Sequence, residues 1–432
     1  MTSTVVAPNA DKLSFFQSLA RKLLHGQLAK LHTGCLVLCE GGEAIAFGED
    51  QSQARAKGLY AQIDIQDPAC YADILTGGSI GAAEAYMTGD WQSQDLADVM
   101  RILVRNMDIL DQMEGGLALL SRPFLKLFHR FNQNTQKGSE RNIAAHYDLG
   151  NELFRLFLDP KMMYSSGIYP SAEASLESAA EYKLEKICQV LQLNADDHVL
   201  EIGTGWGGFA IYAAQNYGCR VTTTTISKEQ YALAKQRVDE AGVSDRVTLL
   251  LKDYRELEGQ YDKLVSIEMI EAVGWKYYTT FFENCAARLK ADGLMLIQAI
   301  TITDQRYESA RRNVDFIQRY IFPGSCIPSI QALMTASMKG SDLRLVQLQD
   351  FAEHYARTLR AWRHRCHDYR EAITAQGYDE TFQRMWEFYL AYCEGGFMER
   401  SIGVAHMVYA KPDFRDEQVY EVGQHKLGRQ AD

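Results

Sequence analysis

The chain has 432 residues, 47% of them hydrophobic and 11% aromatic, enough apolar material for two packed cores and too much for a disordered chain. Its formal net charge of -11 argues against nucleic acid as a partner, because a phosphate backbone is bound through a positive surface that displaces counterions. Nine scattered cysteines, odd in number and without paired CxxC spacing, argue against a disulfide framework or zinc ribbon and favour a reducing cytoplasm.

In chain order, MTSTVVAPNADKLS lacks the basic start and apolar core of a signal peptide. No apolar run approaches the roughly 20 residues needed to span a bilayer, so any membrane contact is expected to be peripheral. SFFQSLARKLLHGQLAKL (14–31) sets apolar residues at helical spacing with basic residues between them, which suits packing within its own domain or lying on a membrane surface. CLVLCEGGEAIAFGE predicts a hairpin around Gly41 and Gly42; GSIGAAEAYMTGDW and DLADVMRILVRNM predict further helices. From Arg122 to Arg141, Arg122, Lys126, Arg130, Lys137 and Arg141 face Glu140 alone and alternate with Phe124, Leu125, Leu127, Phe128 and Phe131. This is a basic, aromatic-bearing segment in an acidic protein. The expected organisation is a small, mainly helical N-terminal domain over 1–130, a polar linker over 131–145, a second domain over 146–415 and a polar tail over 416–432.

In the second domain HVLEIG, RVTTTTI, RVTLLLKDY, YDKLVSIEMI and GLMLIQAITI read as strands. WGGFAIYAAQNYG, SKEQYALAKQRVDEAG and YYTTFFENCAARLK read as the helices between them. Such alternation predicts an α/β fold with an open, mostly parallel sheet, whose ligands bind at the carboxyl ends of the strands. Glu268 and Glu271 of SIEMIEAVG lie at one such end, where burying an unpaired carboxylate is costly, so they are expected to be solvated or employed.

LEIGTGWGGF places Gly203, Gly205 and Gly207 between a strand and a helix. A glycine loop alone serves NAD as readily as another adenosine cofactor. The spacing E-x-G-x-G-x-G, with Glu201 two residues before the first glycine, resembles the first motif of class I S-adenosylmethionine-dependent methyltransferases. The next strand ends in TTTTISKEQ without the acidic residue many of them use for the ribose, so Thr225 and Gln230 are the candidates for those hydrogen bonds.

HYDLGNELFRLFLDPKMMYSSGIYP, VLEIGTGWGGFAIYAA, TISKEQ, MIEAVG, RYIFPGSCIPS and HYARTLRAW, in this order, resemble the cyclopropane-fatty-acid synthase and mycolic acid cyclopropane synthase family over about 140–412. The resemblance implies a seven-stranded class I sheet with a reversed last strand near SIGVAHMVYA and an N-terminal domain of lipid-binding or dimerisation type. It implies methyl transfer to a cis alkene of a phospholipid acyl chain, then proton loss to close a cyclopropane, with bicarbonate as base. Carried over, Glu271, Tyr355, Gln298, Ile300 and the Ser166 backbone form the catalytic set, with Glu271 orienting the bicarbonate and Glu268 as pocket wall or supporting group. Tyr164, Ser165, Glu201, Gly203, Gly205, Gly207, Thr225, Gln230 and Tyr254 form the cofactor set, without a metal. His364, Cys366 and His367 of HRCH do not share one helix face with a third ligand, and His146 with Asp148 is assigned to structure or cofactor packing.

Three departures stand out: Ser166 replaces the family cysteine, Ala272 the histidine after the glutamate, and Gln298 the bicarbonate-binding histidine. Similar departures accompany relatives that stop at a methylated or methylenated chain, as in 10-methyl and furan fatty acid routes, so both products stay open. Other readings are a methyltransferase acting on a small soluble acceptor, and a non-enzymatic lipid-binding scaffold. A place on the inner face of the cytoplasmic membrane, through the first helix and segment 122–141, follows from the main reading and is compatible with a homodimer.

Overall fold

The computed structural model describes residues 14–114 and 149–415, and these divide into two compact units. The predicted segment 122–141, His146 and Asp148, the linker and the polar tail lie outside the described residues.

The first unit holds 14–114 together with Glu380–Phe388. Its leading helix, Phe15–Leu28, begins at a capping box: the Ser14 hydroxyl accepts the Gln17 amide and the Gln17 side chain accepts the Ser14 amide. Such a cap is worth about 1 kcal/mol. The predicted hairpin is formed by β1 (Cys35–Glu40) and β2 (Glu43–Gly48), paired antiparallel from Glu40 opposite Glu43. Both turn residues, Gly41 and Gly42, have positive φ. β1 also pairs in parallel with β3 (Tyr60–Ile65), which pairs with β4 (Trp91–Gln92), so helices are joined by a four-stranded sheet in the order β2-β1-β3-β4. Only its hairpin was expected, because β1 and β3 meet across an intervening helix, Gln51–Ala56, and no turn signal announces such pairing.

The second unit is built on a seven-stranded sheet of β5 (His198–Ile202), β6 (Arg220–Thr225), β7 (Val247–Leu251), β8 (Tyr261–Ile267), β9 (Leu289–Ile302), β10 (Arg344–Asp350) and β11 (Ile402–Ala410). Their order is β10-β11-β9-β8-β5-β6-β7. All neighbours are parallel except at β11, which runs against both β9 and β10; the reversed last strand is where the family resemblance put it. Strands buried on both faces read as near-continuous apolar runs, and Val199, Leu200, Leu264, Val265 and Leu294 to Leu296 are all sealed from solvent. One apolar layer, with Ile187, Phe209 and Val408, covers one face, and another, with Phe281, Phe282 and Tyr409, covers the other. The sheet order reverses direction between β5 and β8, so the loops after these strands flank one crevice.

Candidate active site

The loop after β5 turns through Gly203, Gly205 and Gly207, all at positive φ, into the helix Gly208–Tyr217. A side chain on Gly203 would press on the Met269 side chain, whereas nothing stands within 4 Å of the position a Cβ would take on Gly205. The loop is braced from below. The Thr223 hydroxyl donates to Glu201 Oε2 at 2.6 Å and lies 2.7 Å from the Thr204 hydroxyl. Glu201 is 2% exposed, and burial raises its pKa to about 8. It braces the cofactor loop through Thr223 and Thr204. The Trp206 indole donates to Asn151 Oδ1 at 2.7 Å and packs on Phe154, which ties the loop to the helix Asn151–Phe157.

At the end of β6 the Thr225 hydroxyl donates to Gln230 Oε1 at 2.9 Å, and Ser227 caps the helix Lys228–Glu240. Tyr254, just after β7, is 9% exposed and its buried hydroxyl has no protein partner. An open cradle over Gly205 and an orphaned hydroxyl at the carboxyl edge of the sheet fit an adenosine cofactor that supplies the missing hydrogen bond. Gly203, Gly205, Gly207, Thr225, Gln230 and Tyr254 thus fall along one strand-end edge.

The second cluster forms where β8 ends. Glu268, expected as pocket wall or supporting group, is hydrogen-bonded to three of the other candidate residues. Its amide continues the ladder by donating to the Gln298 carbonyl at 2.8 Å, and its φ of 48° then turns the side chain inward. Its Oε1 accepts the Ser166 amide at 2.9 Å and Gln298 Nε2 at 2.6 Å, and its Oε2 accepts the Tyr355 hydroxyl at 2.7 Å. Ser166 thus faces the cluster with its amide, while its hydroxyl donates to the Gly167 carbonyl. Burial raises the Glu268 pKa, opposed by the charge of Lys183 and by these hydrogen bonds. Glu271, 8% exposed, accepts the Ile300 amide on Oε1 at 2.5 Å, and its Oε2 is buried without a partner. Burial, and after it the Glu268 charge, push Glu271 up to about 8.

Around the carboxylates stands an aromatic wall. The Tyr355 ring lies 4.4 Å from that of Phe397, and Tyr164 lies 5.3 Å from Trp362 with its hydroxyl 3.0 Å from that of Tyr389. Such faces stabilise a cation while excluding water.

Three participants escaped the sequence. His406 on β11 sits directly opposite Gln298 on β9, with Nε2 2.9 Å from Gln298 Oε1. Burial drives the His406 pKa down to about 3, so the ring is neutral. Its N–H donates to that oxygen and holds the Gln298 NH2 toward Glu268. Lys183, fully buried, donates to the Ser165 hydroxyl at 2.6 Å, and burial lowers its pKa to about 8. Thr358 accepts the Gly167 amide at 3.1 Å, pinning the loop that presents Ser166. A buried lysine on an apolar helix face was the one legible hint; the other two needed strand register and tertiary contact.

The family model of mycolic acid cyclopropane synthetase matches residues 134–407. A tuberculostearic acid methyltransferase of Mycobacterium tuberculosis is 40% identical over 74% of this chain and 76% of its own length. The cyclopropane-fatty-acyl-phospholipid synthase of Escherichia coli K12 is 36% identical over 81% of this chain and 88% of its own. Among solved structures, a cyclopropane synthase of Mycobacterium tuberculosis superposes with a TM-score of 0.59 at 30% identity, covering 63% of this chain and 98% of that one. With the family model matching 134–407 and these relatives beside the glycine cradle, the chain belongs to the mycolic acid cyclopropane synthetase family and is an S-adenosylmethionine-dependent methyltransferase.

Proposed function

We propose that the enzyme methylates the cis double bond of an unsaturated phospholipid acyl chain and closes a cyclopropane by removing a proton. The observation that carries this reading is the pairing of hydrogen-bonded carboxylate with aromatic wall beside the cofactor cradle. An isolated alkene is a poor nucleophile, so it must be held in line with the methyl donor in a dry site. S-adenosylmethionine supplies an electrophilic methyl group on a sulfonium. Tyr164, Trp362, Tyr355 and Phe397 shield the carbocation that follows, and a carboxylate takes up the proton.

A second reading, a methylene- or methyl-branched product without ring closure, is favoured by the first of the relatives above and by Gln298 and Ala272 standing where the family resemblance expects histidines. A methylene chain needs a hydride shift from the methylated carbon before the methyl proton leaves; a saturated methyl branch instead needs a hydride donor. Mass spectrometry of vesicle phospholipids after incubation with S-adenosylmethionine separates the two. A gain of CH2 with loss of the alkene is expected; the same gain with an alkene retained selects the second reading, and no gain on any unsaturated lipid defeats both.

The protein is further proposed to work from the inner surface of the cytoplasmic membrane. No helix among the described residues is long and apolar enough to cross a bilayer. The first helix buries Ala20 and Leu24 and leaves Phe15, Phe16, Leu19 and Leu23 exposed, with Lys22 beside them. Immersing such a half-exposed face returns about 1 kcal/mol per leucine. Leu19→Ser with Leu23→Ser is therefore expected to lower recovery with anionic vesicles in a flotation assay by about tenfold or more. Unchanged flotation would remove this helix from the membrane contact.

A further inference from the structure

Glu268 stands where a glycine would be easier to build. A φ of 48° is left-handed backbone that glycine adopts freely and a glutamate only with strain. The strain persists because the carboxylate is held from three sides, by the Ser166 amide and the Gln298 amide group on one oxygen and the Tyr355 hydroxyl on the other. The Gln298 group is itself locked by His406. Ser166, Gln298 and Tyr355 are also among the residues to which the family resemblance assigned a bicarbonate ion. Here their donors are taken by a side chain of the protein itself.

We propose that the Glu268 carboxylate is the proton acceptor of the reaction, built into the chain at the position of a free anion, so that the enzyme works without bicarbonate. This inference rests on the methyl-transfer reading above. The two carboxylates divide the work. Glu271 has one backbone donor and lies beside another negative charge, so it holds its proton. Glu268 has three donors and the field of the buried Lys183 ammonium. Burial at the same time makes it a stronger base than a surface carboxylate.

In the step itself the alkene π pair forms the bond to the donor's methyl carbon while the carbon–sulfur bond breaks, its electron pair staying on sulfur. The second alkene carbon is left electron-deficient. Loss of a proton from the new methyl group to Glu268 frees a C–H pair that closes the ring. If a hydride first shifts from the methylated carbon, the same proton loss yields a methylene. Either way Glu268 ends as a carboxylic acid and passes its proton to solvent, and no oxidant or reductant is consumed.

The experiment compares the wild type with Glu268→Gly, which relieves the backbone and removes the carboxylate, and Glu268→Gln, which keeps volume and most hydrogen bonding. Binding of 13C-bicarbonate is followed by NMR, S-adenosylmethionine binding by equilibrium dialysis, and methyl transfer to unsaturated vesicles in carbon-dioxide-free buffer with and without added bicarbonate. The wild type is expected to exclude 13C-bicarbonate and to be indifferent to its addition. Glu268→Gly is expected to bind it, to lose at least about a hundredfold in methyl transfer without it, and to recover part of the loss when it is supplied. Glu268→Gln is expected to lose as much without recovery, and both variants to bind S-adenosylmethionine as the wild type does. A wild type that binds or requires bicarbonate, or a Glu268→Gln variant with full activity, overturns the proposal. A wild type that methylates no lipid would remove the functional reading, and bicarbonate binding by wild type and Glu268→Gly would then decide the place of Glu268 by itself.

Discussion

Replacing Glu201 by Gln is expected to stabilise the protein at alkaline pH and to change it little in mild acid. Glu201 is sealed beneath the cofactor loop with the Thr223 hydroxyl as its hydrogen-bond partner, and burial raises its pKa from 4.5 to about 8. Below the unfolded value both states carry the proton, and the stability linked to it is fully present. Between 4.5 and about 8 only the folded state keeps it, so stability falls as pH rises through that window, and above the folded value it is lost. The full difference is on the order of 5 kcal/mol. A neutral Gln still accepts from Thr223 and has no proton to lose. Thermal unfolding near about pH 9 should therefore move up by roughly 5 °C or more in the variant, with little change near about pH 5. Parallel pH profiles for the two proteins would show that the folded state does not hold Glu201 as an acid.

Two glycines only three residues apart should fail in different ways when replaced by alanine. At Gly205 the added methyl meets nothing in the protein, and only the φ of 52° opposes it, at a cost of about 1 kcal/mol. The methyl enters the space above the loop, so Gly205→Ala is expected to fold and to bind S-adenosylmethionine at least about tenfold more weakly. At Gly208 the methyl would stand 2.6 Å from the Lys161 carbonyl oxygen and 2.5 Å from the Met163 sulfur. The methionine can swing away but the carbonyl is fixed to the chain, and such overpacking costs about 1–3 kcal/mol. Gly208→Ala is expected to lose thermal stability and to lose cofactor affinity only as far as the loop is displaced. Equal losses of both properties in both variants, from melting curves and equilibrium dialysis, would refute the division between cradle and packing.

The aromatic wall and the carboxylate cluster were unequally legible. Tyr355, Ser166 and the β9 pair Gln298 and Ile300 come from three distant segments, and the structure brings all four residues to Glu268 or Glu271. Motif order was enough to nominate them. The two glutamates exchanged prominence: Glu271 matched the motif, whereas Glu268 collects the hydrogen bonds, because the positive φ after β8 turns a residue that strand alternation would treat as wall into the middle of the site.

Sequence alone determined the parallel sheet and the glycine loop, because each is written in local pattern: buried apolar runs, glycines between strand and helix, and short connections; the reversed last strand came only with the family resemblance. Local pattern also determined the hairpin at Gly41 and Gly42. Tertiary structure alone decided what lies behind the site. His406 meets Gln298 only through the β9–β11 register, Lys183 reaches Ser165 only through packing of the helix Leu176–Val190, and Glu201 meets the Thr223 hydroxyl of β6 only through the β5–β6 pairing. Local sequence specifies backbone conformation within a few residues, while the partner of a buried polar group is set by which strands and helices come together, and that is a property of the whole fold.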